Sequence, residues 1–278
     1  MSYLCSREIN LNRKVDGHRA RKRFGQNFLQ DANVINQIIK AINPKIENHV
    51  VEIGPGLGAL TDELIGHCFL TVIELDRDLV NKLERKYSQH KNFEIHQGDA
   101  LKFDFSKIVK DNLTEKIKLV GNLPYNISTP LIFYLLKYKD LITDMHFMLQ
   151  KEVVERITSE PGSKTYGRLS VILQYACETN HLFNVEPEAF KPAPKVDSAI
   201  IRIKPREIIA EPVADEFLFQ RLVTQAFSQR RKTIRNTLKT LASDTQLQAA
   251  QIDPGVRPET VSVQNYVRLT NILDNAHT

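Results

Sequence analysis

The chain has 278 residues, of which 42% are hydrophobic and 26% charged, and its formal net charge is +5. This composition is that of a soluble globular protein with enough apolar residues for a sizeable core, and no apolar run approaches the roughly 20 residues that cross a bilayer. The three cysteines are widely spaced and form no Cys-x-x-Cys pair, which argues against a disulfide framework or a structural zinc site. We therefore expect a cytoplasmic protein without a membrane segment, a secretory signal or a metal ion.

The first half of the chain alternates predicted helices with predicted strands. Residues 31–44 are predicted to form a helix, because apolar residues recur at helical spacing at Val34, Ile35, Ile38, Ile39 and Ile42. Strands are predicted at residues 49–53, 69–75, 92–97, 116–121 and 144–150, with helices at 54–67, 76–90 and 129–138. Such alternation predicts a parallel sheet that is covered by helices on both faces.

The pattern changes after residue 150. A helix at 151–160 and a loop at 161–168 precede a β-rich stretch at 196–205, which is expected to close the sheet as an edge strand. From about residue 206 the predicted elements are helical, at 215–229, 230–241 and 257–273. We predict one domain over residues 1–205, with a basic N-terminal arm, and a small helical domain over residues 206–278.

Two clusters of basic residues flank the central region. Residues 1–23 contain seven basic side chains and two acidic ones, and the basic ones include Arg21, Lys22 and Arg23. The second cluster consists of Arg230, Arg231, Lys232, Arg235 and Lys239, with no acidic residue between its ends. Each cluster alone could be solvated surface, but two of them beside a catalytic core favour a polyanionic partner, either nucleic acid or a membrane surface.

A glycine-rich turn follows the first strand of the predicted sheet. Gly54, Gly56 and Gly58 would allow a ligand to approach the backbone closely at the start of a helix. Glu74 ends the next strand, where its carboxylate could accept the hydroxyls of a ribose. Asp99 follows the third strand and could either bind the amine of an adenine or cap a turn. This pattern fits a nicotinamide or flavin dinucleotide, S-adenosylmethionine, or a turn without a ligand.

The segment Gly121-Asn122-Leu123-Pro124-Tyr125 follows the fourth strand, at the same edge of the sheet. It could be a simple proline turn. It also fits methyl transfer to the N6 amine of adenine, whose lone pair is drawn into the ring. The Asn122 side chain and the Leu123 carbonyl could accept the two N–H groups of that amine, and Tyr125 could stack on an extruded base. No strong general base is required, because the nitrogen becomes acidic as it gains the methyl group.

The full set of motifs resembles a known family. GQNFLQD, VVEIGPGLGALT, VIELDRD, GDAL, GNLPYNIS and FKPAPKVDSAIIR occur in the order found in the rRNA adenine N6,N6-dimethyltransferases. Residues from Gly17 to Leu273 are similar to this family, and most closely to its bacterial small-subunit type. The resemblance implies an α/β chain with a Rossmann-like class I S-adenosylmethionine-dependent methyltransferase fold and a small C-terminal all-α domain.

The resemblance also implies roles for individual residues. It implies that S-adenosylmethionine is bound by Gln26, Asn27, Leu29, Gly54, Gly56, Glu74, Leu75, Asp99, Ala100 and Asn122. Asn122 and the Leu123 carbonyl would position the target amine, while Tyr125 and Phe190 would stack on its base. From the residue pattern alone, Phe190 is instead predicted to be a core residue beside a proline-rich turn. Contacts with RNA are expected from Arg21, Lys22, Arg23, Arg230, Arg231 and Arg235.

The implied partner is 16S rRNA within the small (30S) ribosomal subunit, with two adjacent adenosines near its 3′ end each methylated twice. Nothing in the sequence demands more than a monomer.

Three alternatives stay open at this point. A related large-subunit methyltransferase that confers antibiotic resistance shares the Asn-hydrophobic-Pro-Tyr motif. A dinucleotide oxidoreductase would explain the glycine turn but neither the motif nor the basic clusters, and a non-catalytic ribosome-assembly factor would leave the site residues without a role.

Overall fold

The computed structural model describes residues 14–15, 18–19, 21, 26–112, 116–229 and 231–276. The chain divides into two compact units. The first comprises residues up to 154 together with 181–205, and the second comprises 155–180 together with the residues from 206 onward. The chain passes between the units at three places, after residues 154, 180 and 205. The predicted boundary lies at the third of these, and residues 155–180 belong to the second unit.

The strands are β1 (Lys14–Val15), β2 (His18–Arg19), β3 (Phe28–Leu29), β4 (His49–Ile53), β5 (Phe69–Glu74), β6 (Phe93–Gln97), β7 (Ile117–Asn122), β8 (Ile142–Gln150), β9 (Cys177–Val185), β10 (Phe190–Lys191) and β11 (Ser198–Pro205). The helices are α1 (Ala32–Ile42), α2 (Thr61–Leu64), α3 (Arg77–Tyr87), α4 (Ser106–Asn112), α5 (Ser128–Leu135), α6 (Lys151–Thr158), α7 (Arg168–Ala176), α8 (Glu216–Ala226), α9 (Ile234–Leu238), α10 (Asp244–Ala249) and α11 (Val263–Asn275). Short 3₁₀ helices lie at Leu136–Leu141, Pro187–Ala189 and Pro258–Thr260. None of the helices in the described ranges has both the length and the apolar character of a membrane span.

The predicted parallel sheet is confirmed. Seven strands pair in the order β6-β5-β4-β7-β8-β11-β9, and β4 to β8 run parallel to one another. Every residue of β4 is buried, as expected for a central strand with helices on both faces. Because the parallel strands share one direction, their carboxyl ends form a single edge, where the glycine turn and Asn122 both lie.

The end of the sheet differs from the prediction. β11 is antiparallel to β8 and lies between β8 and β9, so the expectation that residues 196–205 form an edge strand is wrong. The edge strand is β9, which the sequence did not reveal. Its central residues are polar and largely exposed, as in Glu178, Asn180 and His181, so the apolar alternation that marks a strand is missing. The preceding helix α7 was also missed, because it is buried on most sides and lacks an amphipathic stripe.

The predicted basic helix at residues 230–241 is much shorter in the structure. Helix α9 covers only Ile234–Leu238. The backbone N–H groups of Ile234 and Arg235 donate to the carbonyl oxygens of Val256 and Pro254, at 2.8 and 3.2 Å. Because these amides are bonded to another segment, the helix begins there, and Arg231 lies in the turn that precedes it.

A buried cluster of charges lies at the opposite end of the sheet from the glycine turn. The Asp144 carboxylate is 3.8 Å from the Lys118 ammonium and 3.4 Å from the Arg202 guanidinium, while His146 Nδ1 is 3.4 Å from its other oxygen. Burial alone would raise the pKa of Asp144, but His146, Lys118 and Arg202 outweigh it and hold this pKa below its usual range. The cluster joins β7, β8 and β11 near the amino ends of the parallel strands.

Candidate active site

An open cleft of about 160 Å³ lies in the first unit at the carboxyl ends of β4 to β7. It brings together all of the residues that were predicted to bind a cofactor, together with three of the four that were predicted to act on the target base. Those that line it are Gln26, Asn27, Leu29, Gly54, Gly56, Glu74, Leu75, Asp99, Ala100, Asn122, Leu123 and Tyr125. A water molecule occupies roughly 10–15 Å³ on this scale, so the cleft has room for a small-molecule ligand.

The glycine turn connects β4 to the start of α2. Gly54 and Gly56 have φ angles of 69° and 61°, in the left-handed region that favours glycine. A Cβ atom on Gly56 would lie 3.1 Å from the ring of Phe28, which belongs to the N-terminal segment. The turn therefore needs glycine both for its backbone angles and for its close approach to that segment.

Glu74 lies at the end of β5 and is bonded to the glycine turn. One carboxylate oxygen accepts a hydrogen bond from the Gly56 N–H at 3.3 Å, and the other accepts one from the Asp76 N–H at 2.8 Å. Burial raises the pKa of Glu74, and these backbone bonds offset part of the rise. Each carboxylate oxygen can accept two hydrogen bonds. The side chain can therefore accept further bonds from a pair of ligand hydroxyls in the cleft.

Asp99 follows β6, where it caps a turn and also lines the cleft. One carboxylate oxygen accepts a hydrogen bond from the Leu101 N–H at 3.0 Å, which is an aspartate turn. The same side chain lines the cleft beside Leu75, whose side chain is 49% exposed, and the buried Ala100. An apolar surface next to a carboxylate suits a flat heterocycle that carries an amine.

The N-terminal segment at residues 26–29 is bonded to both sides of the cleft. The Gln26 side chain donates to the Asp76 carboxylate at 3.2 Å, and the carbonyl oxygen of Asn27 accepts a hydrogen bond from the Asn122 side chain at 3.0 Å. Leu29 is paired with Phe190 through the short antiparallel ladder of β3 and β10. Asp76, which also caps α3 and lies two residues after the end of β5 at Glu74, holds this segment in place without lining the cleft itself.

The segment from Asn122 to Tyr125 forms a tight corner. The Leu123 N–H donates to the Met148 carbonyl at 3.2 Å, and the Pro124 carbonyl accepts from the N–H groups of Ile127 and Ser128. In the part of the chain that the structure describes, no group donates to the Leu123 carbonyl. Because the amide nitrogen of Asn122 is bonded to Asn27, its amide oxygen and the Leu123 carbonyl are the two acceptors that the corner offers to an amine.

Tyr125 is held by its ring hydroxyl. Its Oη and the Oγ of Ser198 lie 2.7 Å apart and share a hydrogen bond. Burial raises the pKa of Tyr125, so the phenol is neutral at physiological pH. Ser198, the first residue of β11, was not predicted as a site residue even though it lies within the FKPAPKVDSAIIR motif.

Phe190 is the exception among the predicted base-binding residues. Its side chain is 5% exposed and belongs to the apolar core together with Leu29, Met148 and Ile200. It is not among the residues that line the cleft. The structure therefore places Phe190 in the core, as the residue pattern alone predicts, and the stacking role that the family resemblance implies stays a prediction. The physical reason is its pairing with Leu29, which turns the ring into the core.

The predicted RNA-binding residues have different surroundings. Lys22, Arg23 and Arg230 lie outside the described residues. Arg21 precedes the N-terminal segment, and its guanidinium donates to Asp76 at 3.0 Å and also to Asp78. Arg235 is exposed and forms a two-point ion pair with Asp244, at 2.9 and 2.7 Å. Arg231 is exposed in the turn before α9.

Glu52 is a site residue that the sequence analysis missed. It lies in the middle of β4, lines the cleft, is 2% exposed and accepts a hydrogen bond from the Thr61 hydroxyl at 2.6 Å. Burial raises the pKa of Glu52 to about 7, and the bond from Thr61 offsets only part of this rise. An acidic residue inside an otherwise apolar strand, as in His-Val-Val-Glu-Ile, was the signal that could have revealed it.

The raised pKa of Glu52 predicts a pH dependence of stability. The unfolded side chain releases its proton near pH 4.5, whereas the folded one keeps it up to about pH 7. The folded state is thus favoured below pH 4.5 and loses about 3 kcal/mol as the pH rises to 7. We expect the free energy of unfolding to fall more over this range in the wild type than in Glu52→Gln. Urea unfolding at several pH values checks this, and parallel curves for the two proteins would contradict it.

Comparisons with known proteins show the family and the fold. A model of the family described as Ribosomal RNA adenine dimethylase matches residues 17–275. The chain is 55% identical over 257 residues to the Ribosomal RNA small subunit methyltransferase A of Pseudomonas putida, which covers 92% of this chain and 96% of that protein. Two solved structures are also similar. One is a dimethyladenosine transferase from Plasmodium falciparum, with a TM-score of 0.74, 26% identity and coverage of 87% of this chain and 95% of the other. The second is the 23S rRNA methyltransferase ErmE, with a TM-score of 0.70, 28% identity and coverage of 89% and 100%.

Proposed function

Because the chain belongs to the ribosomal RNA adenine dimethylase family, we propose that it methylates two adjacent adenosines near the 3′ end of 16S rRNA. Each N6 amine would receive two methyl groups from S-adenosylmethionine, giving N6,N6-dimethyladenosine during assembly of the small ribosomal subunit. The enzyme would act as a monomer in the cytoplasm. The observation that carries this proposal is the pair of acceptors at the corner, the Asn122 amide oxygen and the Leu123 carbonyl.

These two acceptors suit the chemistry of an adenine amine. In free adenine the nitrogen is planar and its lone pair is shared with the ring, so the amine is a poor nucleophile. Two hydrogen bonds, one to Asn122 and one to Leu123, would direct both N–H groups and leave the lone pair facing the cleft. Preorganised acceptors of this kind also stabilise the positive charge that develops on the nitrogen. Tyr125 would stack on the extruded base.

The cleft residues fit S-adenosylmethionine as the methyl donor. When bound, this cofactor supplies an electrophilic methyl group on a sulfonium centre. Glu74 would accept bonds from the ribose hydroxyls, and Asp99 would accept one from the adenine amine beside the apolar side chain of Leu75. The glycine turn would hold the methionine end, and residues 26–29 would close the cleft from the N-terminal side. A dinucleotide would leave the corner at Asn122 without a role.

The choice of ribosomal subunit follows from the similarities. Identity is higher to the small-subunit methyltransferase than to ErmE, a large-subunit enzyme. Incubation with tritiated S-adenosylmethionine and unmethylated small subunits tests the choice, with large subunits and naked rRNA as controls. We expect N6,N6-dimethyladenosine from small subunits alone, close to four methyl groups per particle. Label in large-subunit RNA would overturn the small-subunit proposal, and no label with any substrate would overturn the enzymatic one.

The basic residues of the second unit predict a salt-dependent affinity for the subunit. Phosphate contacts release counterions, so affinity should fall steeply as salt rises. Arg231 is exposed, whereas Arg235 is already paired with Asp244, so Arg231 is the better candidate for a phosphate contact. We expect Arg231→Gln to reduce the slope of log affinity against log salt by roughly 0.7–0.9. Binding measured between 50 and 200 mM salt checks this.

Two controls accompany that measurement. Lys91→Gln removes an exposed positive charge from the turn before β6, and it should leave the slope unchanged. The affinity of Arg231→Gln for S-adenosylmethionine should equal that of the wild type, because Arg231 lies in the second unit and the cleft in the first. An unchanged slope for Arg231→Gln would remove this residue from the RNA contact.

A further inference from the structure

Ser198 is a fully buried serine whose hydroxyl is bonded to the ring of Tyr125. Its backbone is fixed by the sheet, because Ser198 pairs with Gln150 in the ladder between β11 and β8. The preceding residue strengthens this position, since the Asp197 carbonyl accepts a hydrogen bond from the Lys151 N–H at 3.0 Å. The Ser198 hydroxyl is therefore attached to a rigid part of the fold.

Tyr125, in contrast, lies in the turn between β7 and α5. Its carbonyl accepts a hydrogen bond from the Ser128 hydroxyl at 3.1 Å, which fixes the backbone of the turn but leaves the torsions of the side chain to other contacts. A phenol ring on a turn can rotate about two side-chain torsions. The bond at 2.7 Å between its hydroxyl and Ser198 fixes the far end of the ring, so both torsions are defined.

On the basis of the proposed function, we propose that Ser198 is a positioning residue for the target base, which holds the ring of Tyr125 at the angle that stacking requires. Stacking depends on the plane of the Tyr125 ring. If that ring is misplaced, the stacked base is tilted, and its amine no longer points at the acceptors of Asn122 and Leu123. Small displacements of a reacting group lower rates strongly. This role gives the serine of the FKPAPKVDSAIIR motif a function that does not involve contact with the substrate.

The test compares Ser198→Ala, Tyr125→Phe and the double variant. Both single changes remove the same hydrogen bond, one from each side, and Tyr125→Phe keeps the aromatic ring. We expect each to lower kcat for small subunits by roughly three- to tenfold, the effect of losing one hydrogen bond between neutral groups. The affinity for S-adenosylmethionine should stay within about twofold of the wild type. The double variant should be no slower than either single one, because only one bond is lost.

Ser170→Ala is the matched control. Ser170 is also fully buried, and its hydroxyl donates to the Arg156 carbonyl in the second unit. We expect this variant to lose thermal stability and to keep the kcat of the wild type. A fall in kcat as large as that of Ser198→Ala would mean that any buried serine has the same effect, and it would overturn the proposal.

A second measurement does not depend on catalysis. The chain has eight tyrosines, so labelling with 3-fluorotyrosine gives a fluorine NMR signal for each, and Tyr125→Phe identifies that of Tyr125. In Ser198→Ala we expect this signal to shift and narrow as the ring gains freedom, while the others stay in place. Any one of three results would overturn the proposal. They are a wild-type kcat in Tyr125→Phe, a kcat in the double variant that falls by the product of the two single effects, and a Tyr125 fluorine signal that is unchanged in Ser198→Ala. A wild-type protein without methyltransferase activity would overturn the proposed function instead, and the fluorine signals would still decide whether Ser198 holds the ring.

Discussion

Replacement of Asn122 by alanine is expected to lower the rate of methyl transfer by at least about a hundredfold, the cost of removing one preorganised polar group from a reaction centre. The change removes one of the two acceptors that we propose for the target amine. It also removes the hydrogen bond from the Asn122 side chain to the Asn27 carbonyl. Single-turnover rates with saturating S-adenosylmethionine and unmethylated small subunits measure the effect on the chemical step.

The remaining properties of Asn122→Ala separate catalysis from binding. Glu74, Asp99 and the glycine turn are untouched, so we expect the affinity for S-adenosylmethionine to fall by no more than about tenfold, the worth of one hydrogen bond. Binding to immature subunits should persist, and a variant that binds without methylating would show that an assembly role is separable from the reaction. A rate within a few-fold of the wild type would rule out Asn122 as the group that positions the amine.

Replacement of Gly121 by alanine is expected to destabilise the fold by roughly 3 kcal/mol, in the range of severe overpacking in a core. A Cβ atom at this position would lie 2.4 Å from the carbonyl oxygen of Ile53, which is backbone and belongs to the neighbouring strand. β4 and β7 are paired near the centre of the sheet, so neither strand can move without disturbing its other neighbour. Urea unfolding gives the change in free energy directly.

Gly66→Ala is the control for that experiment. A Cβ atom on Gly66 would meet nothing within 4 Å, so the change should alter stability by less than about 0.5 kcal/mol. Because Gly121 immediately precedes Asn122, any folded Gly121→Ala protein should also have a weakened site. Wild-type stability in Gly121→Ala would mean that the two strands separate more readily than their pairing suggests.

The sequence predicted the core of the fold and most of the cleft for the same reason. Short, largely apolar runs such as those of β4 and β5 mark strands that are buried on both faces, and parallel strands bring their carboxyl ends together. Gly54, Glu74 and Asn122 each follow or end such a run, and Asp99 follows the half-exposed strand beside them, so their convergence in one cleft could be predicted without coordinates.

The failures have equally specific causes. β9 is an edge strand with polar exposed residues, so no periodicity marked it. Ser198 is bonded to Tyr125, 73 residues away in the sequence, and no local pattern announces such a partner. Glu52 did leave a local signal, an acidic residue inside a largely apolar strand, but that signal was not used. Phe190 is a core residue by the residue pattern and a base-pocket residue by the family resemblance, and only the structure shows that its side chain packs in the core with Leu29.

Strand β7 has the charged residue Lys118 near one end and Asn122 at the other. Lys118 belongs to the buried cluster around Asp144, while Asn122 lies at the cleft. In a cell, a substitution at Lys118 or Asp144 would reduce methylation by lowering the amount of folded protein that escapes degradation, whereas one at Asn122 would leave abundance intact and remove turnover. Two variants with the same loss of rRNA methylation would thus have different causes, one a loss of folded protein and the other a loss of turnover. Protein levels, measured beside the methylation state of the rRNA, tell the two apart.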